Sequence, residues 1–350
     1  MMTEHKIRVV IADDSAFMRK RLVEIISSAS DMEIVAVARN GREAIEAAHS
    51  LNPDVITMDI QMPVMDGIEA LGYIMSEVPT PCIVISAFAT DGSEKTLRAL
   101  EFGAIDFVTK PSGVISKDID MVAEEIIEKI RLAAQVPAWR LRLVYPVERM
   151  APKPSTVLLP ELKKIFVVAS STGGTQALAT LLPMLKRDMP AAVLVVQHMP
   201  EGFTKGLAQR LDRISNVTVK EAEDGMRLVA GEVIIAKGGS HLELEGSFDS
   251  PCVKLGDGAP VMGLRPNANV TFSSVARLFR ERTVGIVLTG MGSDGTAGSR
   301  EIKTAGGFVI AQDEASSIIY GMPKSVVQAK LADKVVPLLK ISEEMERLLR

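Results

Sequence analysis

Apolar and polar positions alternate along this chain in two long series. From Lys6 to about Ala134, the apolar runs IRVVIA, EIVAVA, DVITMD, CIVISA and IDFVTK are separated by longer segments with helical spacing. A second series opens with KIFVVAS and continues through AAVLVVQH, EVIIAKG, VGIVLTG and GFVIAQD. Short β-branched runs alternating with helical stretches predict βαβ units and parallel sheets buried on both faces. Between the series, five prolines from Val136 to Glu161 interrupt any long regular element. The pattern therefore predicts two α/β domains, at 4–134 and 161–350, joined by a linker at 135–160. Within that linker Trp139, Leu141, Leu143, Val144 and Tyr145 are apolar enough to pack on a domain. No internal repeat or low-complexity tract is present.

Composition supports that division. At 350 residues and 47% hydrophobic content, the chain exceeds one ordinary core and can build two. A net charge of -4 and 4% aromatic residues argue against sequence-independent nucleic-acid binding. No apolar stretch is long enough to span a bilayer, and charges stand in the opening MMTEHKIRVV where a signal peptide needs an apolar region, so a cytoplasmic protein without membrane insertion is expected. Cys82 and Cys252 lie in different halves, so no structural disulfide is expected. His5, His49, His198 and His241 have no zinc-ligand spacing.

In the first series the chemistry collects where strands stop. Asp13 and Asp14 follow the first strand, Asp59 ends the third, Ser86 the fourth and Lys110 the fifth. In parallel sheets the ligand crevice lies beyond those ends. Carboxylates converging there repel one another unless a hard divalent cation joins them, which points to Mg²⁺. A carboxylate beside such a cation and a lysine is equipped to accept a phosphoryl group. Taken singly, Asp13 or Asp14 could instead cap the helix starting near Ser15, and Asp59 could cap a turn.

The second series places Ser170 and Ser171, His198 and Asp294 at strand ends, the parts of a nucleophilic triad. In KIFVVASSTGGTQAL a serine precedes Thr172, Gly173 and Gly174 and then a helix, whose N-terminus can stabilise an oxyanion. Ser171 as a helix N-cap and His198 as a hydrogen-bonded structural histidine remain the plainer alternatives. His241 is a rival base, although Glu243 and Glu245 suggest an ordinary polar strand face. GMGSDG, from Gly290 to Gly295, literally matches a dinucleotide fingerprint, with Asp313 and Glu314 near the required distance. Against it, Asp294 would bring negative charge to the helix N-terminus meant for the pyrophosphate, and too little chain follows for two mononucleotide halves. Read otherwise, the three glycines let the loop hold Asp294 near a helix start, where it stays ionised to orient an imidazole.

IADDSAFMRK, ITMDIQMPVMDG and IDFVTKPSG resemble the receiver domain of two-component response regulators, a flavodoxin-like fold. The resemblance implies phosphorylation of Asp59, with Mg²⁺ held by Asp13, Asp14, Asp59 and the Gln61 carbonyl. It also implies contacts to the phosphoryl group from Ser86 and Lys110, an aromatic at Phe107 that moves with them, and a cis bond between Lys110 and Pro111. VVQHMP, FTKGLAQRLD, VKEAEDG, VLTGMGSDG and YGMPKS resemble the catalytic domain of the chemotaxis protein-glutamate methylesterase (CheB) family, from about Lys164 to the C-terminus. That implies a doubly wound, mainly parallel α/β domain with Ser171 as nucleophile, His198 as base and Asp294 as orienting carboxylate. Thr172, Gly173 and Met291 fall in its oxyanion region. Ala169 and Ser170 before the nucleophile, and Asn269 in RPNANV, depart from the family's usual residues. The implied activity is hydrolysis of glutamate methyl esters on chemoreceptors, with glutamine deamidation, gated by a chemotaxis histidine kinase as phosphodonor and needing no cofactor for ester hydrolysis. A non-enzymatic response regulator whose second domain only binds a partner is the competing class, and a DNA-binding output domain lacks a basic recognition helix.

Overall fold

The computed structural model of the chain describes residues 6–87, 90–110, 118–141 and 160–350. They fall into two compact units, Met1–Val144 and Tyr145–Arg350. Among the described residues no helix is long and apolar enough to cross a membrane.

The first unit is a five-stranded sheet of β1 (Ile7–Ala12), β2 (Met32–Ala38), β3 (Val55–Asp59), β4 (Cys82–Ala87) and β5 (Asp106–Lys110). All its pairs are parallel and the order is β2-β1-β3-β4-β5. Val9, Val10 and Ile11 are consecutive and wholly buried, because helices cover both faces of the sheet there; only Ile7 and Arg8, at the start of β1, are partly exposed. The strand order reverses between β1 and β3, where a crevice opens at the carboxyl ends. Ala12 is in register with Met58, so Asp13 and Asp59 lie side by side. The helix Ala16–Ser28 is capped by Ser15, whose Oγ accepts from Met18 N–H, and not by Asp13 or Asp14. Regular structure continues past Ala134 into a short helix, Ala138–Leu141, with Leu141 buried and Trp139 exposed under the Arg140 guanidinium. Leu143, Val144, Tyr145 and the Lys110–Pro111 bond lie outside the described residues.

In the second unit β6 (Lys164–Ser170), β7 (Ala191–Gln197), β8 (Thr218–Glu221) and β9 (Glu232–Ile235) are followed by an antiparallel pair, β10 (His241–Ser247) and β11 (Ser250–Gly256). The chain then completes the main sheet with β12 (Thr283–Val287), β13 (Phe308–Gln312) and β14 (Lys334–Val336). Seven strands run parallel throughout in the order β14-β13-β12-β6-β7-β9-β8. The five strands legible from hydrophobic runs are β6, β7, β9, β12 and β13; the edge strands β8 and β14 are too short and half-exposed to show a period. The helix Ala268–Phe279 buries Phe272, Val275 and Phe279 in one cluster with Val167, Ala169 and Val287. That packing aims its N-terminus at the carboxyl ends of β6 and β12.

Candidate active site

Ser171, His198 and Asp294 follow β6, β7 and β12, three neighbours in the order β12-β6-β7. The two adjacent serines differ in burial. Ser170 is fully buried and its Oγ donates to Gln197 Oε1 at 2.7 Å, whereas Ser171 is partly exposed. Nor is Ser171 a side-chain cap: the helix Gly174–Leu181 has Gly173 as its N-cap, at φ 75°, and Ser171 contributes only its carbonyl, which accepts from Gly174 N–H at 2.7 Å. Ser171 N–H donates to Thr289 O, and Thr289 Oγ1 donates to the carbonyl of the buried Thr172, so the segment after β6 is tied to the segment after β12. Gly290 lies against Ser171: a Cβ there would stand 2.8 Å from Ser171 Cβ and 2.4 Å from Met322 Sδ. Met291, half-buried, follows at once.

His198 Nε2 and Asp294 Oδ2 are 2.7 Å apart, with both side chains largely buried. The carboxylate fixes the tautomer: Nε2 carries the proton and donates it, which leaves Nδ1 as the basic nitrogen. Asp294 receives three further donors, Ala268 N–H on Oδ2 at 2.6 Å and Asn269 and Gly295 N–H on Oδ1 at 3.0 and 2.9 Å. Burial pushes its pKa up, but the hydrogen bond and charge of His198 and the N–H groups of Ala268 and Asn269 outweigh that and hold it below the ordinary value. The helix N-terminus that stabilises Asp294 is mainly that of Ala268–Phe279, capped by Asn267, and not only the helix that the glycine loop opens. Asn269, one of the unusual residues, also ties this helix to the next through Gly298 N–H on its Oδ1 at 2.7 Å. No hydrogen bond joins Ser171 Oγ to His198; such bonds are commonly long in unliganded sites.

The rivals are placed elsewhere. His241 Nε2 donates to Ala259 O at 3.1 Å and lies buried at the start of β10. Asp313, at the fingerprint distance from the glycines, accepts from Ser316 N–H and Oγ and closes a local turn.

In the first unit one carboxylate oxygen from each of Asp13, Asp14 and Asp59 lies within 4.8 Å of the other two. Lys110 Nζ donates to Asp13 Oδ2 at 2.8 Å and Asp59 Oδ2 at 2.6 Å. Burial raises the pKa of Asp59, and Lys110 offsets that only in part; burial works against the Lys110 charge, but Asp59 and Asp13 outweigh it and raise its pKa. An all-oxygen cluster of three carboxylates fits a hard divalent cation. Ser86 Oγ accepts from Thr96 Oγ1 at 2.6 Å beside β5, Phe107 is buried with the Lys129 ammonium over its ring, and Gln61 is exposed two residues past Asp59.

Sequence reasoning missed three contributors: the Ala268 and Asn269 N–H groups, Thr289, and Gln197. Each had a faint signal, since Asn267 precedes an amphipathic helix and the other two are polar residues at the ends of apolar runs.

Residues 166–345 match the family model described as CheB methylesterase, and residues 9–119 that of the response regulator receiver domain. The protein-glutamate methylesterase/protein-glutamine glutaminase of Pyrococcus abyssi is 44% identical, over 99% of this chain and 94% of that protein. The protein of the same name from Thermotoga maritima is 45% identical, over 98% and 99%. The crystal structure of the Thermotoga maritima CheB methylesterase catalytic domain superposes with a TM-score of 0.52 at 44% identity, covering 53% of this chain and 98% of that one.

Proposed function

The chain belongs to the CheB methylesterase family, with a receiver domain ahead of the catalytic domain, and from that premise we propose that Ser171, His198 and Asp294 carry its esterase reaction. The enzyme is a protein-glutamate methylesterase regulated by phosphorylation, with glutaminase activity as its second reaction. The observation that carries the assignment of residues is the 2.7 Å bond between His198 and Asp294 at the ends of strands flanking Ser171.

The substrate is a glutamate methyl ester on the cytoplasmic helices of methyl-accepting chemotaxis receptors. Ser171 Oγ attacks the ester carbonyl carbon as His198 Nδ1 takes its proton, and the carbonyl electron pair moves onto oxygen. Backbone N–H groups around Thr172, Gly173 and Met291 stabilise that oxyanion. The tetrahedral adduct collapses, the C–O bond to the methoxy group breaks, and imidazolium returns the proton, releasing methanol and leaving a glutamyl ester on Ser171. Water then attacks with His198 as base, freeing glutamate and Ser171. Glutamine follows the same course with ammonia as the leaving group. Asp294, held ionised, fixes the imidazole and offsets its transient positive charge. No cofactor enters these steps.

Domain limits follow from the same reading: a receiver at 4–134, a linker at 135–160 and the methylesterase domain at 161–350. In the receiver, Asp59 accepts the phosphoryl group from the chemotaxis histidine kinase. Asp13, Asp14, Asp59 and the Gln61 carbonyl would hold Mg²⁺, which supplies charge neutralisation at the transferring oxygens. Lys110 and Ser86 contact the phosphoryl oxygens, and Phe107 responds to them. The protein acts in the cytoplasm, without membrane insertion or nucleic acid.

The test is methanol release from methylated receptor. Ser171→Ala lowers the rate by at least about 10³-fold while receptor binding persists; undiminished release removes Ser171 from the mechanism and favours a binding-only second domain.

A further inference from the structure

β7 is apolar and buried at every position until Gln197, which is itself buried at 3% exposure. An amide in such a place is costly unless its donors and acceptor are all matched. Gln197 matches them across the site. Its Oε1 accepts from Ser170 Oγ at 2.7 Å, and its Nε2 donates to Ser171 O at 3.0 Å and to His198 O at 3.2 Å. The orientation is determined by the partners: flipped, the amide oxygen would face two carbonyl oxygens that offer no proton. The neighbouring helix is built around this side chain. A Cβ on Gly174 would stand 2.2 Å from Gln197 Oε1 and 2.8 Å from Ser170 Cβ, so the helix must open on glycine.

We propose that Gln197 is a positioning residue whose buried amide sets the separation of nucleophile and base by clamping the Ser171 and His198 carbonyls to one nitrogen, with Ser170 locking the amide from its other end. Strand pairing fixes the two chains only as far as Ser170 opposite Gln197 and the bond from His198 N–H to Ser170 O. Beyond that point the chains leave the sheet, and the amide is the link that crosses between them. Glutamate has no proton to donate and methionine neither donor nor acceptor of that strength, so neither can replace it. This rests on the triad reading above, which Ser171→Ala tests separately.

Gln197→Met keeps length and volume and removes the clamp. The expected result is a kcat for methanol release about 10- to 100-fold lower with KM within about 2-fold, since misplacement near 1 Å costs about that much. Sulfonylation of Ser171 by a small sulfonyl fluoride slows in parallel, because it needs the same alignment but no receptor. Ser170→Ala, which leaves the two carbonyl bonds but frees Oε1, gives a smaller loss of about 3- to 10-fold. A purely structural role would lower the melting temperature and leave kcat per folded molecule and the sulfonylation rate unaltered, and that result overturns the proposal. Should Gln197→Met not fold, Ser170→Ala decides: unaltered kcat and sulfonylation sink the idea. If Ser171→Ala itself still releases methanol, the triad has failed and not the clamp alone.

Discussion

Asp294 is held by four donors, the His198 ring and three backbone N–H groups. The same carboxylate that orients His198 also closes the N-terminus of the helix Ala268–Phe279, so its loss acts on rate and stability together. Asp294→Asn keeps the shape and removes the charge. Activity is expected to fall about 10⁴-fold, as in a triad deprived of its carboxylate. Stability should fall by about 1–2 kcal/mol, because hydrogen bonds to a charged acceptor become neutral ones. The pH dependence has a definite sign. Because the folded-state pKa of Asp294 is depressed, its contribution is fully present above its unfolded value, about 3.9, and is lost as pH falls through the folded value. Melting curves of the two proteins should therefore differ at pH 7 and converge below about pH 4. Curves that stay equally far apart at all pH values would contradict the charge argument. Ser171→Ala, lacking such a structural duty, should melt close to the native protein.

At the scale of elements, the loop after β12 was legible as a glycine-rich turn holding an aspartate, but the use of each glycine was not. Gly290 is required by approach: its backbone lies against Ser171 and Met322, leaving no space for a methyl group. Gly290→Ala should push the Ser171 segment away from the loop after β12 and lower kcat about 10- to 100-fold, read as methanol release under saturating receptor. Gly292, with φ 81° and open space around it, is required only by its conformation, so Gly292→Ala serves as the comparison. If both substitutions cost the same, close approach is not what selects Gly290. The strand runs β6, β7, β9, β12 and β13 were readable because burial on both faces makes them continuously apolar. The edges β8 and β14, three or four residues each, carry no such signal.

At the scale of the whole molecule, a receiver domain precedes an esterase domain in one chain, and in the proposed reading phosphorylation of Asp59 is the input. Moving a gate from 1:99 to 99:1 needs about 5.5 kcal/mol of differential stabilisation, so a graded response is expected. Removing residues before about 150 should raise the basal rate of methanol release, and treatment of the full chain with a small acyl phosphate and Mg²⁺ should raise it too; a truncated protein no faster than the full chain counts against gating. The sequence by itself determined the two α/β series, the carboxylates above the first sheet, and the serine, histidine and aspartate above the second. It could do so because strand ends are local features, written in the residues that interrupt an apolar run. Only the tertiary structure decided which strands are neighbours, and hence that β12, β6 and β7 bring Asp294, Ser171 and His198 to one place. It alone showed that Ser170 is buried against Gln197 while Ser171 is partly exposed, which supports the choice of Ser171 that the resemblance had implied. It alone showed that Asp294 answers to the helix beginning at Ala268. Those choices depend on contacts between residues 25 to 96 positions apart, and pairing at such distances is set by sheet order and helix packing, which no short stretch of sequence encodes.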